Sequence, residues 1–336
     1  MFKNLQSKSQ LIQLTKRIIP PLLPSFHKGQ CGRIAIIGGC EDYTGAPYFS
    51  AHAAATLGCD LTHVICEKSA GTVIKSYSPD LMVHPYLHDS SKLTSKLDKM
   101  SSNHKSYLEE NVMPKVTSLL DRIHVVVLGP GFGRDPLMME TLELIIKESK
   151  SRDLPIILDA DALFLVASKP EIIKGYKKAI LTPNVVEFKR ICDSIGVDTK
   201  EEKDDGGVAL CKKVSEILKV TIFRKGAKDI IVNGDNVLIC DEVGSNKRVG
   251  GQGDSLTGLI STMLSWGMYT YKNQLWEEAK AEPRLTDEQV ILLACYGGAL
   301  LTKYSARKAF SKYGRSMQTS DLHKFIGESY TEVFDV

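Results

Sequence analysis

No CxxC pair occurs among the eight cysteines, Cys31, Cys40, Cys59, Cys66, Cys192, Cys211, Cys240 and Cys295, and their scatter offers no framework for stapling a small fold. Free, mostly buried thiols in a reducing compartment are expected. Apolar runs such as Ile34 to Ile37 and Val125 to Leu128 are short, and a membrane helix needs roughly 20 such residues, so no membrane span is expected. An excess of charge of one sign is also lacking: 43 Lys and Arg stand against 40 Asp and Glu. That balance leaves no electrostatic footprint for nucleic acid and favours a small-molecule partner. The GxxxxGK[ST] pattern is absent, which disfavours a P-loop. Gly129-Pro130-Gly131-Phe132-Gly133 has the wrong spacing for GxGxxG, which disfavours a dinucleotide-binding dehydrogenase. The eight histidines are expected as single core or surface residues with no zinc site.

The first forty residues hold Lys3, Lys8, Lys16, Arg17, Lys28 and Arg33 but no acid. Lysine outnumbers arginine and the segment runs into Pro20-Pro21, so a helix capping the domain is expected rather than an organelle presequence. A cytoplasmic protein is the expectation, with a mitochondrial one as the alternative. At 336 residues and 43% hydrophobic content, the chain can bury one large core. The expected layout is an N-terminal helical extension over 1–30 and a single α/β domain over 31–330.

Apolar, β-branched runs recur at Arg33–Ile37, Leu61–Cys66, His124–Leu128, Pro155–Leu158 and Ala179–Leu181. Helical segments separate them, which is the habit of a parallel sheet covered on both faces. After Val220 the runs Val220–Arg224, Asp229–Val232 and Asn236–Cys240 follow one another closely, with Asn233-Gly234-Asp235 as a turn signal. The fold class is therefore α/β: a doubly wound, mainly parallel sheet with an antiparallel hairpin edge, followed by helices at Asp254–Trp266 and Thr286–Ser305. The Ser- and Lys-rich stretch Asp89–Lys105 reads as a surface loop.

The strongest local signal is Gly250-Gly251-Gln252-Gly253-Asp254, followed at helical spacing by Leu256, Leu259, Ile260, Met263 and Leu264. Glycines at a helix start gather unpaired N–H groups at the positive end of the dipole, where phosphate oxygens are stabilised. Asp254 then stands in the first turn, placed either as an N-cap or as a base for a hydroxyl attacking a bound γ-phosphoryl group. Asp159-Ala160-Asp161 and Thr182-Pro183-Asn184 also follow strands, so three strand ends line one rim. Asn184 and Glu187, three apart, either hold a hydrated Mg²⁺ through water or serve as ordinary helix-start polarity. Lys225-Gly226-Ala227-Lys228-Asp229 joins two late strands, where lysine meets phosphate or simply lies exposed.

In this order the motifs resemble the ribokinase-like superfamily, and within it the eukaryotic ATP-dependent NAD(P)H-hydrate dehydratases. The marks are Gly38-Gly39 with Tyr43-Thr44-Gly45-Ala46-Pro47, Tyr77–Met82, Gly129–Arg134, Asp159–Leu163, Thr182-Pro183-Asn184 with Glu187-Phe188, Lys225-Gly226, and Gly250–Asp254. The resemblance implies repair of (S)-NADHX and (S)-NADPHX, hydrated at the nicotinamide C5=C6 bond, by phosphorylation of the C6 hydroxyl and loss of phosphate. It implies ATP and Mg²⁺ as cofactors, and Asp254 as catalytic base. Substrate contacts are implied at Gly131, Asn184, Val185, Val186, Glu187, Phe188, Lys189, Arg190 and Asp254. ATP contacts are implied at Lys225, Gly226, Ala227, Lys228 and Asp229, and at Gly244, Ser245, Asn246, Lys247, Arg248, Val249, Gly250, Gly251, Gln252 and Gly253. Asn184 and Glu187 are implied as indirect metal holders. Many superfamily kinases read G-[AS]-G-D at the anion hole, whereas Gln252 here matches the dehydratases. Only about thirty residues precede the first strand, so epimerisation is expected of a separate protein. Related enzymes often assemble into homo-oligomers. A ribokinase-like kinase of a small alcohol or vitamin precursor is the alternative, and a non-catalytic nucleotide sensor would not need Asp254.

Overall fold

The computed structural model describes residues 7–93, 104–199 and 206–334. Nine strands form one sheet: β1 (Arg33–Ile37), β2 (Leu61–Glu67), β3 (Met82–Leu87), β4 (Val125–Leu128), β5 (Ile156–Leu158), β6 (Ala179–Leu181), β7 (Thr221–Arg224), β8 (Asp229–Asn233) and β9 (Asn236–Cys240). Their spatial order is β3-β2-β1-β4-β5-β6-β7-β8-β9. Neighbours are parallel as far as β7, and β8 and β9 close the edge antiparallel. The helices are α1 (Lys8–Lys16), α2 (Gly45–Leu57), α3 (Ala70–Tyr77), α4 (His104–Asn111), α5 (Met113–Leu120), α6 (Pro136–Ser151), α7 (Asp161–Ser168), α8 (Val185–Ser194), α9 (Val208–Leu218), α10 (Gln252–Ser265), α11 (Asp287–Tyr313), α12 (Thr319–His323) and α13 (Ile326–Phe334).

Alternation along each strand sends side chains to opposite faces. Ile34, Ile36, Val125 and Val127 join the core formed with α2, α10 and α11, while Ala35, Ile37, Val126 and Leu128 join the core formed with α5 to α9. Both faces are thus dry, which is why these strands are uninterrupted apolar runs. The α/β class, the parallel sheet and the hairpin edge all hold. A ninth strand, β3, escapes the apolar-run criterion because Met82-Val83-His84-Pro85-Tyr86-Leu87 is half polar and contains proline. It sits at the sheet margin beside β2, where a missing N–H breaks no ladder between two neighbours.

The helix expected at Asp254–Trp266 begins at Gln252, ends at Ser265 and passes into a π-helical turn over Trp266–Tyr271. The helix expected at Thr286–Ser305 runs on to Tyr313 behind a Thr286/Gln289 capping box. Of the loop expected at Asp89–Lys105, Ser90–Lys92 form a short 3₁₀ turn and His104 already opens α4, while 94–103 lie outside the described residues. α1 is capped by Ser7 and Gln10, and Leu11, Ile18 and Ile19 enter the same core as α11. The histidines are not the single residues expected: His52 bonds His323 at 2.9 Å and His63 bonds His84 at 3.0 Å.

Candidate active site

The chain turns from β1 to β2 on one side of the sheet and to β4 on the other, so its topological switch lies between β1 and β4. Open α/β sheets bind ligands outside the carboxyl ends of their strands at this point. Here the ends of β1 and β4 meet backbone to backbone, Gly39 N–H lying 3.1 Å from both Pro130 O and Gly131 O. Gly129 is required by space and by conformation. It has φ +113°, and a Cβ there would stand 1.9 Å from Asp159 O. Gly131 lies against the Tyr43 backbone on the same rim.

β5 and β6 carry the next two strand ends. Asp159 is buried directly after β5, and Thr182 directly after β6 donates to its Oδ1 at 2.9 Å. From the end of β7, Lys225 Nζ reaches the same Oδ1 at 2.7 Å and lies 4.0 Å from Glu187 Oε2. Lys225 is therefore not an exposed hairpin lysine: it pairs with Asp159 and stands within reach of Glu187. Its ammonium pKa is raised on balance: burial acts to lower it, but Asp159 and Glu187 outweigh that.

Asp254 completes the group from the first turn of α10. Burial, then the neighbouring Asp159 charge, push its carboxyl up to about 7, with Lys225 pulling the other way. Position Gly253 faces Lys225, a Cβ there lying 3.4 Å from Nζ. The glycine loop is held from outside. Gly251 has φ +96° and packs where a Cβ would meet the Phe49 ring at 2.6 Å, and Thr319 Oγ1 donates to Gly250 O at 2.5 Å. Ser255 Oγ is 2.7 Å from His323 Nε2, tying the same turn to α12. The first N–H groups of α10 have no acceptor within the helix, so the loop presents donors and the dipole's positive end beside Asp254.

The remaining expected contacts are distributed unevenly. Asn184 caps α8: its Oδ1 accepts from Val186 N and Glu187 N at 2.9 Å each, while Glu187 Oε2 accepts from Asn184 N at 2.8 Å. Asn184 Oδ1 is thus occupied by helix capping, and burial raises the Glu187 carboxyl pKa against the pull of Lys225. Val185 and Val186 are exposed at 58% and 66%, presenting apolar surface on the rim. Phe188 turns into the core beneath Arg224. Lys189 pairs with Asp193, and Arg190 is exposed. In the β7–β8 turn, Gly226, Ala227 and Lys228 are exposed, whereas Asp229 is buried against Lys303 at 3.2 Å and accepts from Gly226 N at 2.9 Å. Asp229 therefore shapes the turn. Along the glycine loop's approach, Gly244 packs on Lys303, Ser245 bonds Lys247, Lys247 reaches Arg315 O, Val249 packs on the core, and Asn246 and Arg248 are exposed.

Asp159 and Thr182 were visible in the sequence as rim residues but carried no role there. A polar residue directly after a fully buried strand was the available signal. His52, His323 and Ser255 gave no signal at all, because their contacts join α2, α12 and α10.

A mainly parallel sheet with an antiparallel edge, a switch-point rim and a glycine loop opening a helix are the features of a ribokinase-like fold. The structure of the ADP/ATP-dependent NAD(P)H-hydrate dehydratase from Bacillus subtilis, crystallised with ATP and Mg²⁺, superposes with TM-score 0.64 at 18% identity, covering 96% of this chain and 97% of that one; this likeness carries the fold. The sequence profile of the NAD(P)H-hydrate dehydratase family matches residues 34–327. The ATP-dependent (S)-NAD(P)H-hydrate dehydratase of Saccharomyces cerevisiae is 48% identical over 347 residues, covering 98% of each chain. That of Mus musculus is 41% identical over 326 residues, covering 96% of this chain and 85% of its own. The chain belongs to the NAD(P)H-hydrate dehydratase family.

Proposed function

We propose that this protein uses ATP to return (S)-NADHX and (S)-NADPHX to NADH and NADPH. The observation that carries the reading is Asp254, a carboxylate with its pKa near neutrality standing on the loop that receives phosphate. The C6 hydroxyl of the hydrated ring attacks the γ-phosphorus, its proton passes to Asp254, and ADP leaves. The C6–O bond then breaks with phosphate as the leaving group, and a proton lost from C5 restores the C5=C6 double bond. Phosphorylation supplies a better leaving group than hydroxide.

In this reading the N–H groups of Gly251 to Gly253 hold the transferring phosphoryl group, and the Gly226–Lys228 turn borders the nucleotide. Lys225, anchored by Asp159, keeps the Asp254 carboxyl from rising further. Among the described residues no three His, Cys, Asp or Glu side chains stand together to hold a metal. Magnesium accordingly fits as a companion of the triphosphate, with Glu187 reaching it through water. When bound it neutralises phosphate charge. Interconversion of the R and S hydrates falls to a separate epimerase.

The test is incubation of the purified protein with hydrated NADPH, ATP and Mg²⁺, following the dihydronicotinamide absorbance together with ADP and phosphate. One ADP and one phosphate per NADPH regained is the expected result. ATP consumption leaving a stable phosphomonoester would assign the chain to the small-alcohol kinases.

A further inference from the structure

A second cavity, of about 420 Å³, opens at the opposite edge of the sheet, where β1, β4, β5 and β6 begin. Its rim carries Arg33 at the start of β1, Arg122 and His124 just before β4, and Pro155 just before β5. Met268 and Tyr269 of the π-helical turn form the facing wall. The site around Asp254 lies at the far end of these strands, so the two are separated by the sheet itself.

The charges here do not cancel. Lys178 is neutralised by Asp153 at 2.5 Å and Asp121 by Arg152 at 2.8 Å. Arg33 and Arg122 have no carboxylate partner among the described residues, and Arg33 Nε is buried with no hydrogen bond. A buried Arg33 Nε without an acceptor is costly to the fold, and an anionic ligand would supply one. The unbalanced field registers on the neighbours. His63 is held down to about 4 by burial, then by His84, Arg122 and Arg33, and His124 to about 4 by burial, then by Arg33. His124 also stacks flat on Tyr269, centroids 3.4 Å apart, and with Met268 and Pro155 makes an apolar, partly aromatic wall.

We propose that this cavity is a second anion site that takes the phosphate group of a small molecule, seated between Arg33 and Arg122. Guanidinium pairs bind phosphate oxygens in bidentate fashion, and a volume of a few hundred Å³ suits a molecule up to the size of a mononucleotide. Free phosphate and a phosphate monoester share this chemistry. The wall of Met268, Tyr269 and His124 favours the ester, whose body would lie against it.

Calorimetric titration of the full chain with AMP, ribose 5-phosphate and inorganic phosphate tests the site. Arg122 is exposed, so R122Q keeps its fold and its turnover, which melting and the NADPH-repair assay check. The expected result is one bound equivalent per chain fewer in R122Q than in wild type, or at least a tenfold weaker second equivalent. AMP binding tighter than phosphate, with the difference removed by Tyr269→Leu, assigns the ester. Equal affinities in all three titrations assign free phosphate to the same seat. Identical stoichiometry and affinity in wild type and R122Q, or no binding of any of the three, overturns the proposal.

Discussion

Replacing Asp254 by asparagine should abolish turnover and stabilise the protein, and the stabilisation should grow with pH. The carboxyl is pushed from the ordinary 3.8 up to about 7 by burial and by Asp159. Between these values the native state holds a proton that the unfolded chain has released. The unfolded state therefore binds fewer protons, and stability falls as pH rises through this window. About three pH units at ~1.4 kcal/mol each set a ceiling of ~4 kcal/mol, reached above pH 7, with about half of it accrued near pH 5.5. Asparagine carries no charge to bury and escapes this cost. Lys225 loses one neighbour but keeps Asp159 at 2.7 Å, so most of the gain survives. Urea unfolding of wild type and Asp254→Asn at pH 5.5 and pH 8 reads the difference directly. Turnover should drop by several orders while ATP affinity changes little, because the carboxylate serves the attacking hydroxyl. A variant no more stable than wild type at pH 8, or a gain independent of pH, would refute the assignment of a desolvated carboxylate with a raised pKa.

Asp159→Asn removes the largest neighbouring charge that raises Asp254 and frees Lys225 to approach it; both effects act downward. The acid limb of kcat/KM should move about one to two pH units lower, measured between pH 5.5 and 8.5. Lys225→Met strands the buried Asp159 carboxylate and should cost about 3–5 kcal/mol in urea unfolding at pH 7.5, where a surface lysine would cost almost nothing. In Gly129→Ala the new methyl would stand 1.9 Å from Asp159 O at φ +113°. Its melting temperature should fall by several degrees, reflecting a loss of about 1–3 kcal/mol, and an unchanged melting curve would show that the two strand ends are not in contact.

The parallel sheet was legible because Ile34–Ile37 and Val125–Leu128 are buried on both faces, and a strand so buried strongly favours apolar residues. The glycine loop was legible for an equally local reason: four residues, a carboxylate and an amphipathic helix follow one another in the chain. β3 was not, since an edge strand tolerates the polar residues and the proline that a central strand excludes. Nor could sequence spacing show that Phe188 turns inward while Val185 and Val186 stay exposed, which depends on how α8 leans on the sheet.

By itself, then, the sequence determined which strands are central, where a glycine loop opens a helix and which carboxylate stands in that helix's first turn. Only the tertiary structure decided what that carboxylate is chemically. Its pKa depends on Asp159, 95 positions earlier, and on Lys225, 66 positions beyond Asp159, brought together by adjacent strand ends and the start of α10. Ionisation is set by charges within a few ångströms and by lost water, and neither can be counted along a chain.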